Sequence, residues 1–483
     1  MKYLIKVLFF LLAVFPLIVW AQPANYWSNS FNTEASLLSG AVVGGGAEIT
    51  AIFYNPAGIS DINESRFDLN ASLFYVENKK YKNPLGVDTE MENWSFKVFP
   101  RFTSYVYQSK RLDNLTYQFA IFNRNSAKTD IYNRVIDPNT DLIYHNNNEQ
   151  YTGLFDISSQ YDDYWGSLGI SKRINERWSI GAAFNISVQS LSYFRSAEAN
   201  VTPTNTLVSG SVLPFSSTWK SYEKVKAYNW RFIGKFGLRY REQNWSLGLN
   251  ITLPSMRLFG NADVNKTISQ TNIVLNGLKI PDYYFNEYPQ YVYFKMQDPL
   301  SVALGWMYKN KENSSEYYVT LEYFAAINEY LSIDPSKPTA DISNTGTHFS
   351  AYSFGNNAIF NIAIGYKKML KEHLGFLAGF RTDFNPYIMG YNQNFMEKNS
   401  FEALNINLYH LTSGVKFNYK KSSFIVGLQY SIGYEPNQTE FINFSNPISY
   451  NPETDLALQG VRSDSMTYFY SSLGFYLGFS IVF

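Results

Sequence analysis

Apolar and polar residues alternate with a period of two through fourteen separate stretches of this 483-residue chain. Between 423 and 434 the even positions read Phe424, Val426, Leu428, Tyr430, Ile432 and Tyr434, interleaved with Ser423, Ile425, Gly427, Gln429, Ser431 and Gly433. Between 245 and 253 the odd positions are Trp245, Leu247, Leu249, Ile251 and Leu253, separated by Ser246, Gly248, Asn250 and Thr252. Successive side chains of a strand point to opposite faces, so each stretch has one apolar face and one polar or small-residue face. The stretches begin near Ser65, Asn93, Leu115, Tyr164, Trp178, Tyr228, Trp245, Val292, Tyr317, Phe360, Leu374, Leu404, Ser423 and Tyr468. Tight turns such as Lys172–Arg177 and Arg241–Asn244 alternate with long polar connections such as Asn125–Gln160, Ala197–Ser221 and Asn437–Val461. Short turns on one side and long loops on the other are the layout of a membrane β-barrel.

The physical reason for a barrel is closure. In lipid every backbone amide needs a partner, and a sheet achieves that only by having no edge. Phe, Tyr and Trp make up 18% of the chain, yet its mean hydropathy is slightly negative, as interleaving demands. The expectation is an all-β fold: a transmembrane antiparallel β-barrel of about 14 strands, spanning residues 65–483.

Lys2 and Lys6 precede an apolar run from Val7 to Trp20, and Val19-Trp20-Ala21 forms a small-x-small cleavage site. This pattern predicts a signal peptide over residues 1–21. Export and a β-barrel together predict the cell outer membrane, with outer-membrane lipid, lipopolysaccharide and the barrel assembly machinery as partners and a monomer as the state. The 40 basic and 40 acidic residues balance, so nucleic acid is not an expected partner.

Residues 22–64 do not alternate. They hold the apolar stretch Ala35–Val43, then Gly44-Gly45-Gly46, then Phe53-Tyr54-Asn55-Pro56-Ala57-Gly58. An apolar segment of this length ahead of the first strand needs somewhere to pack, and the lumen is the available space. The run from Gly44 to Ile59 resembles the N-terminal hatch signature of FadL-type long-chain fatty-acid and hydrophobic-compound transporters. The resemblance is sharp over some fifteen residues and architectural over the rest. It implies a fourteen-stranded barrel plugged by a hatch, with Asn55, Pro56, Ala57 and Gly58 as the hatch motif. Pro56 lacks an N–H and fixes its own φ, so Asn-Pro reads as a rigid turn.

The resemblance also implies an apolar groove on the third and fourth outer loops, here Ala197–Ser221 and Lys266–Tyr291. Its candidate ligand contacts are Leu213 and Phe215 in the former and Leu275, Leu278 and Ile280 in the latter, where Ile268, Ile273, Val274, Leu275, Leu278 and Ile280 are spaced for a short amphipathic helix. Strand phase turns Arg231, Lys235 and Arg239 inward, with Lys97, Arg101, Arg381 and Lys416, and with Asp68, Glu322 and Asp383 as acidic company. A cation in a low-dielectric recess stabilises a carboxylate, and Arg231 and Lys235 are the candidates. The resemblance further implies a kinked third strand as lateral exit. Leu115–Asn123 contains neither Pro nor Gly, however, and the breaks readable in the sequence are Pro100 and Asp298-Pro299.

No cofactor, metal site or enzyme activity is expected. Cysteine is absent, and the four histidines stand outside metal-ligand spacings. His410 with Ser413 lacks an orienting partner, and Asp162-Asp163 reads as solvated loop acids. The leading expectation is passive transport of hydrophobic molecules, foremost long-chain fatty acids. Aromatic hydrocarbons or haem on the same scaffold, or a non-transporting adhesin barrel, are the alternatives.

Overall fold

The computed structural model describes residues 25–27, 33–62, 65–70, 73–99, 102–109, 115–143, 148–204, 216–341, 343–386, 406–419 and 422–481. Among these described residues, fourteen strands form the wall. They are β1 (Arg66–Asn70 and Leu73–Lys82), β2 (Glu90–Phe99 and Phe102–Gln108), β3 (Leu115–Thr140), β4 (Glu149–Arg173), β5 (Trp178–Pro203), β6 (Ser217–Arg241) and β7 (Trp245–Thr252 and Met256–Thr271). The second half comprises β8 (Tyr283–Glu287, Val292–Phe294 and Ser301–Asn310), β9 (Ser315–Phe324 and Ile327–Pro338), β10 (Tyr352–Asn356 and Ile359–Lys371), β11 (Leu374–Asp383), β12 (Leu408–Tyr419), β13 (Ser422–Gln438) and β14 (Met466–Ile481). Each of the fourteen alternating stretches is one of these strands.

Every strand pairs antiparallel with its successor, and β14 returns to β1, with Tyr476 opposite Leu73 and Thr467 opposite Lys82. The sheet is closed. On β13 the exposed faces of Phe424, Val426 and Leu428 point out, while Gln429 and Ser431 are buried inside. The same division runs around the ring and gives the apolar outer band of a membrane barrel.

The lumen holds the N-terminal segment: helix α1 (Thr33–Leu37), a 3-10 turn (Glu48–Thr50), helix α2 (Ala51–Tyr54) and a 3-10 helix (Pro56–Asp61). Room for it comes from cross-strand glycine pairs: Gly181 opposite Gly237, Gly248 opposite Gly305, Gly365 opposite Gly379 and Gly414 opposite Gly427. A Cβ on Gly237 would meet Ala57 N at 2.7 Å, and one on Gly379 would meet Leu38 C at 2.7 Å. The wall is therefore bare of side chains where hatch backbone lies against it. Leu37, Leu38, Ala41, Val42, Ala51, Ile52 and Ile59 are all essentially inaccessible, forming a core with wall residues such as Trp165, Ile233 and Leu377.

Two expectations need correction. Asn125–Gln160 and Ala197–Ser221 are not loops throughout: the β3–β4 ladder runs out to Thr140 opposite Glu149, and the β5–β6 ladder to Val201 opposite Ser217. These hairpins extend beyond the membrane band, where the alternation reverses its sense: Tyr151, Phe155, Ala197, Ala199 and Val201 are buried in an outer lumenal core, and the outward face is largely polar. In the fourth outer loop a β-hairpin replaces the expected helix, pairing Val274 with Lys279 and Leu275 with Leu278. Asn276 (φ 51°) and Gly277 (φ 78°) form its two-residue turn, the favoured hairpin chemistry.

Among the described residues, the ladder is interrupted between β2 and β3 and between β7 and β8. Between β2 and β3 the ladder ends at Phe102 opposite Phe122, and β3 bulges between Asn123 and Asn125. Beyond that point, among the described residues, the two strands are joined by side chains: Asn93 donates to Asp130 O at 2.5 Å and Asn133 to Glu90 O at 2.7 Å. The third strand thus breaks without a Pro or Gly, at Arg124. The second interruption lies between β7 and β8, above Thr252 and Ser301.

Candidate functional site

The hatch motif works as a backbone clamp. Asn55 Oδ1 accepts from Ala57 N at 3.1 Å, capping the 3-10 helix, while its Nδ2 donates to Val43 O at 3.0 Å and to Leu238 O of β6 at 3.2 Å. Pro56 occupies the first helical turn, where a missing N–H costs nothing. Ser171 Oγ of β4 donates to Ala57 O at 3.0 Å. Gly58 is buried, and a Cβ there would press on Ala51 Cβ at 3.2 Å.

Two ionic clusters bind the hatch to the wall. Asp61 pairs with Arg239 and Arg241 of β6 and with Arg173 of β4 at 3.7 Å. Glu34 pairs with Lys367 of β10 and Lys416 of β12. Burial pushes the Glu34 carboxyl up, but Lys367 and Lys416 outweigh it and hold it down at about 2. Arg239 and Lys416, read from strand phase as lumenal cations, thus serve the hatch.

Above the clamp, hatch and wall enclose a narrow cavity of about 50 Å³. Six aromatic residues line it, Tyr26, Trp27, Phe53, Tyr54, Trp165 and Phe324, together with the charged side chains of Arg124, Lys235, Arg381, Asp298 and Glu322. Phe53 packs edge-on against Tyr54 at 5.1 Å, Phe122 at 5.7 Å and Trp165 at 6.0 Å, and Tyr26 stacks on Phe324 at 4.3 Å. Phe102 and Phe122, the last ladder pair before the β2–β3 gap, stack on each other at 5.6 Å. The aromatic recess therefore lies directly inside that gap.

Lys235 reaches this recess from β6. Its Nζ stands 4.2 Å from the Phe53 ring centre, a cation–π contact. Among the described residues it makes no hydrogen bond or ion pair. Glu322, also lining the cavity, is occupied by Trp27 Nε1 and Ser301 Oγ, each at 2.7 Å. The other lumenal candidate is corrected. Arg231 is fully buried and bound to Asp163 and Asp298, each at 2.9 Å. Arg124 joins the same carboxylates, at 2.8 Å from Asp298 and 3.6 Å from Asp163. Two cations and two anions cancel, leaving Arg231 with no charge to offer a ligand. Asp163 belongs to this network because it faces inward, whereas Asp162 lies on the other face, so the pair is not a loop cluster. Asp298 comes from the interrupted part of β8, and no local sequence pattern signals its meeting with Arg124.

The outer-loop candidates are scattered. Leu213 and Phe215 lie outside the described residues, as do Arg101 and the side chains of Lys97 and Asp68. Leu278 is 73% exposed at the tip of its hairpin. Ile280 instead packs with the outer lumenal core, alongside Phe441 and near Phe444, Leu458 and Ile273. Leu275 is half-buried. His410 Nδ1 lies 2.7 Å from Ser431 Oγ, while Ser413, an odd number of positions away, faces outward.

A closed fourteen-stranded barrel with a clamped N-terminal hatch and an aromatic recess beside a wall gap defines a class. It is the fold of FadL-type hydrophobic-compound transporters. The Pseudomonas putida toluene transporter TodX aligns over 94% of this chain and 99% of its own at 13% identity, with a TM-score of 0.54. A Pseudomonas aeruginosa FadL homologue aligns over 94% and 99% at 12% identity, with a TM-score of 0.52. No protein-family model matches the chain, and no curated protein matches it either. At such identities the likeness carries the fold, and the site's chemistry must carry the rest.

Proposed function

We propose that this chain is an outer-membrane channel that passes small hydrophobic molecules without an energy source, with long-chain fatty acids as its foremost cargo. The leader over 1–21 delivers it to the periplasm, and the aromatic recess is its central binding site. Cargo enters from the outer loops, displaces Phe53 and Tyr54, and leaves sideways through the β2–β3 gap, so that an apolar chain need not cross water. The observation that carries the fatty-acid reading is Lys235, an ammonium with no ion pair among the described residues, set beside aromatic rings. A carboxylate head at Lys235 with its alkyl tail against Phe53 and Trp165 satisfies both kinds of surface, and low dielectric strengthens that pairing.

A second reading, a neutral aromatic hydrocarbon, is favoured by the recess's ring lining and small volume. An apolar cavity of about 150 Å³ accepts benzene, so the present 50 Å³ must widen for either cargo. Binding to the purified protein separates the two. Lys235→Met should weaken oleate binding at least about tenfold, the worth of one charge-assisted contact, and leave toluene binding unchanged. Equal loss of both ligands would mean a structural role for Lys235. Binding of toluene alone would exclude the acid, and binding of haem alone would exclude both.

A further inference from the structure

From the interruption between β7 and β8, we infer that the barrel has a second lateral portal, distinct from the β2–β3 gap. The register set by Thr252 opposite Ser301 carries upward to place Leu253 opposite Leu300 and Pro254 opposite Pro299. Ser255 and Asp298 stay adjacent but break the alternation: Ser255 N donates to Asp298 O at 3.1 Å and Asp298 N donates to Ser255 Oγ at 2.8 Å, between residues that an unbroken ladder would leave unbonded. Two prolines face each other where ladder bonds should be, and neither has an N–H to give. Above them pairing resumes at Asn261 opposite Tyr293, one residue out of step. The remaining amides of the segment find substitutes, Gln297 N on Tyr330 Oη at 2.9 Å and Lys295 N on Ser332 O at 2.8 Å.

The interruption sits at membrane height. The ladder below it spans eight residues of β7 and ten of β8, roughly 20 Å at ~3.3 Å per residue and ~40° tilt. Leu253, Met256, Leu258 and Phe259 expose apolar side chains around it. On the inner side, Asp298 and Pro299 themselves line the aromatic recess. One segment without a regular ladder, bridged by the Ser255–Asp298 bonds and by Arg257 Nε donating to Phe294 O at 2.8 Å, therefore separates recess from bilayer. Its latch is Asp298, whose carboxylate is drawn inward by Arg124 and Arg231. Because Arg124 is the bulged residue of β3, one ionic network holds both wall breaks. The ligand class is an uncharged or amphiphilic apolar molecule already dissolved in the outer membrane, exchanging with the recess from the side.

Such a portal serves transport only if the channel carries hydrophobic cargo, as proposed above, and the experiment separates the two claims. The chain has no cysteine, so Leu253→Cys with Leu300→Cys gives a single bridge, and facing residues of an antiparallel pair have suitable spacing. In proteoliposomes an aryl diazirine dissolved in the bilayer is photolysed, and its attachment to the peptide containing Phe53 and Tyr54 is read by mass spectrometry. Oxidising the bridge should lower that labelling and reduction should restore it, whether or not the protein transports anything. Pro254→Val with Pro299→Val, which supplies the missing N–H groups, should lower labelling likewise without a disulfide and covers failure of the cysteine variant to assemble. Labelling that is equal in the oxidised, reduced and valine forms overturns the portal. Bridge-sensitive labelling in a barrel that takes up neither oleate nor toluene would keep the portal and remove the transport reading.

Discussion

Single residues divide here into those that hold the hatch and those that face the recess. Glu34 is the clearest holder. Its folded pKa of about 2 lies below the ordinary 4.5, so its contribution to hatch docking is fully present above pH 4.5 and is lost as pH falls toward 2. Hydrogen exchange of the Thr33–Leu37 amides, corrected for intrinsic rates, should accelerate across that window. Glu34→Gln should exchange faster at neutral pH and show no such acid limb. An unchanged profile in the variant would assign the acid response elsewhere. At this scale the sequence was readable in part. Period-two phase puts Lys235, Arg231 and Arg239 on the lumenal face, because strand geometry permits nothing else. It does not say which of them is neutralised, since the partners of Arg231 lie on β4 and β8, far away in sequence.

Elements show why the hatch seats where it does. Glycine in a strand interior weakens the strand and marks close approach of another backbone, and here glycines come in facing pairs against hatch segments 37–44 and 55–59. Gly237→Ala would force its Cβ into Asn55 and Ala57, a strain of about 1–3 kcal/mol typical of overpacking. The expected outcome is faster amide exchange in Pro56–Asp61 and greater permeability of cells to small hydrophilic antibiotics. Ala substitution at Gly166, where a Cβ meets nothing within 4 Å, is the control and should change neither. All fourteen strands were legible because lipid on one side enforces a strict period. The outer parts of β3–β6 were not, because above the membrane the apolar face turns from outside to inside and breaks the phase that lipid sets below. The break at Arg124 was equally invisible, since a bulge needs no Pro or Gly when an inward-turned arginine finds two carboxylates.

At the scale of the whole molecule, the barrel wall, the hatch and the two wall breaks surround one small aromatic recess. The shared ionic network of Arg124, Arg231, Asp163 and Asp298 ties β3, β4, β6 and β8 together around it. A plug held by ionic and backbone clamps in a closed ring suits selective passage of apolar molecules better than open diffusion of solutes. The most direct test is uptake of labelled oleate and labelled toluene by cells that lack their own transporters and display this chain at the surface. Uptake of at least one cargo above vector, collapsing when Asn55, Pro56 and Ala57 are replaced together in a barrel that still assembles, is the predicted result. No uptake of either cargo from a correctly assembled wild-type barrel would contradict the account.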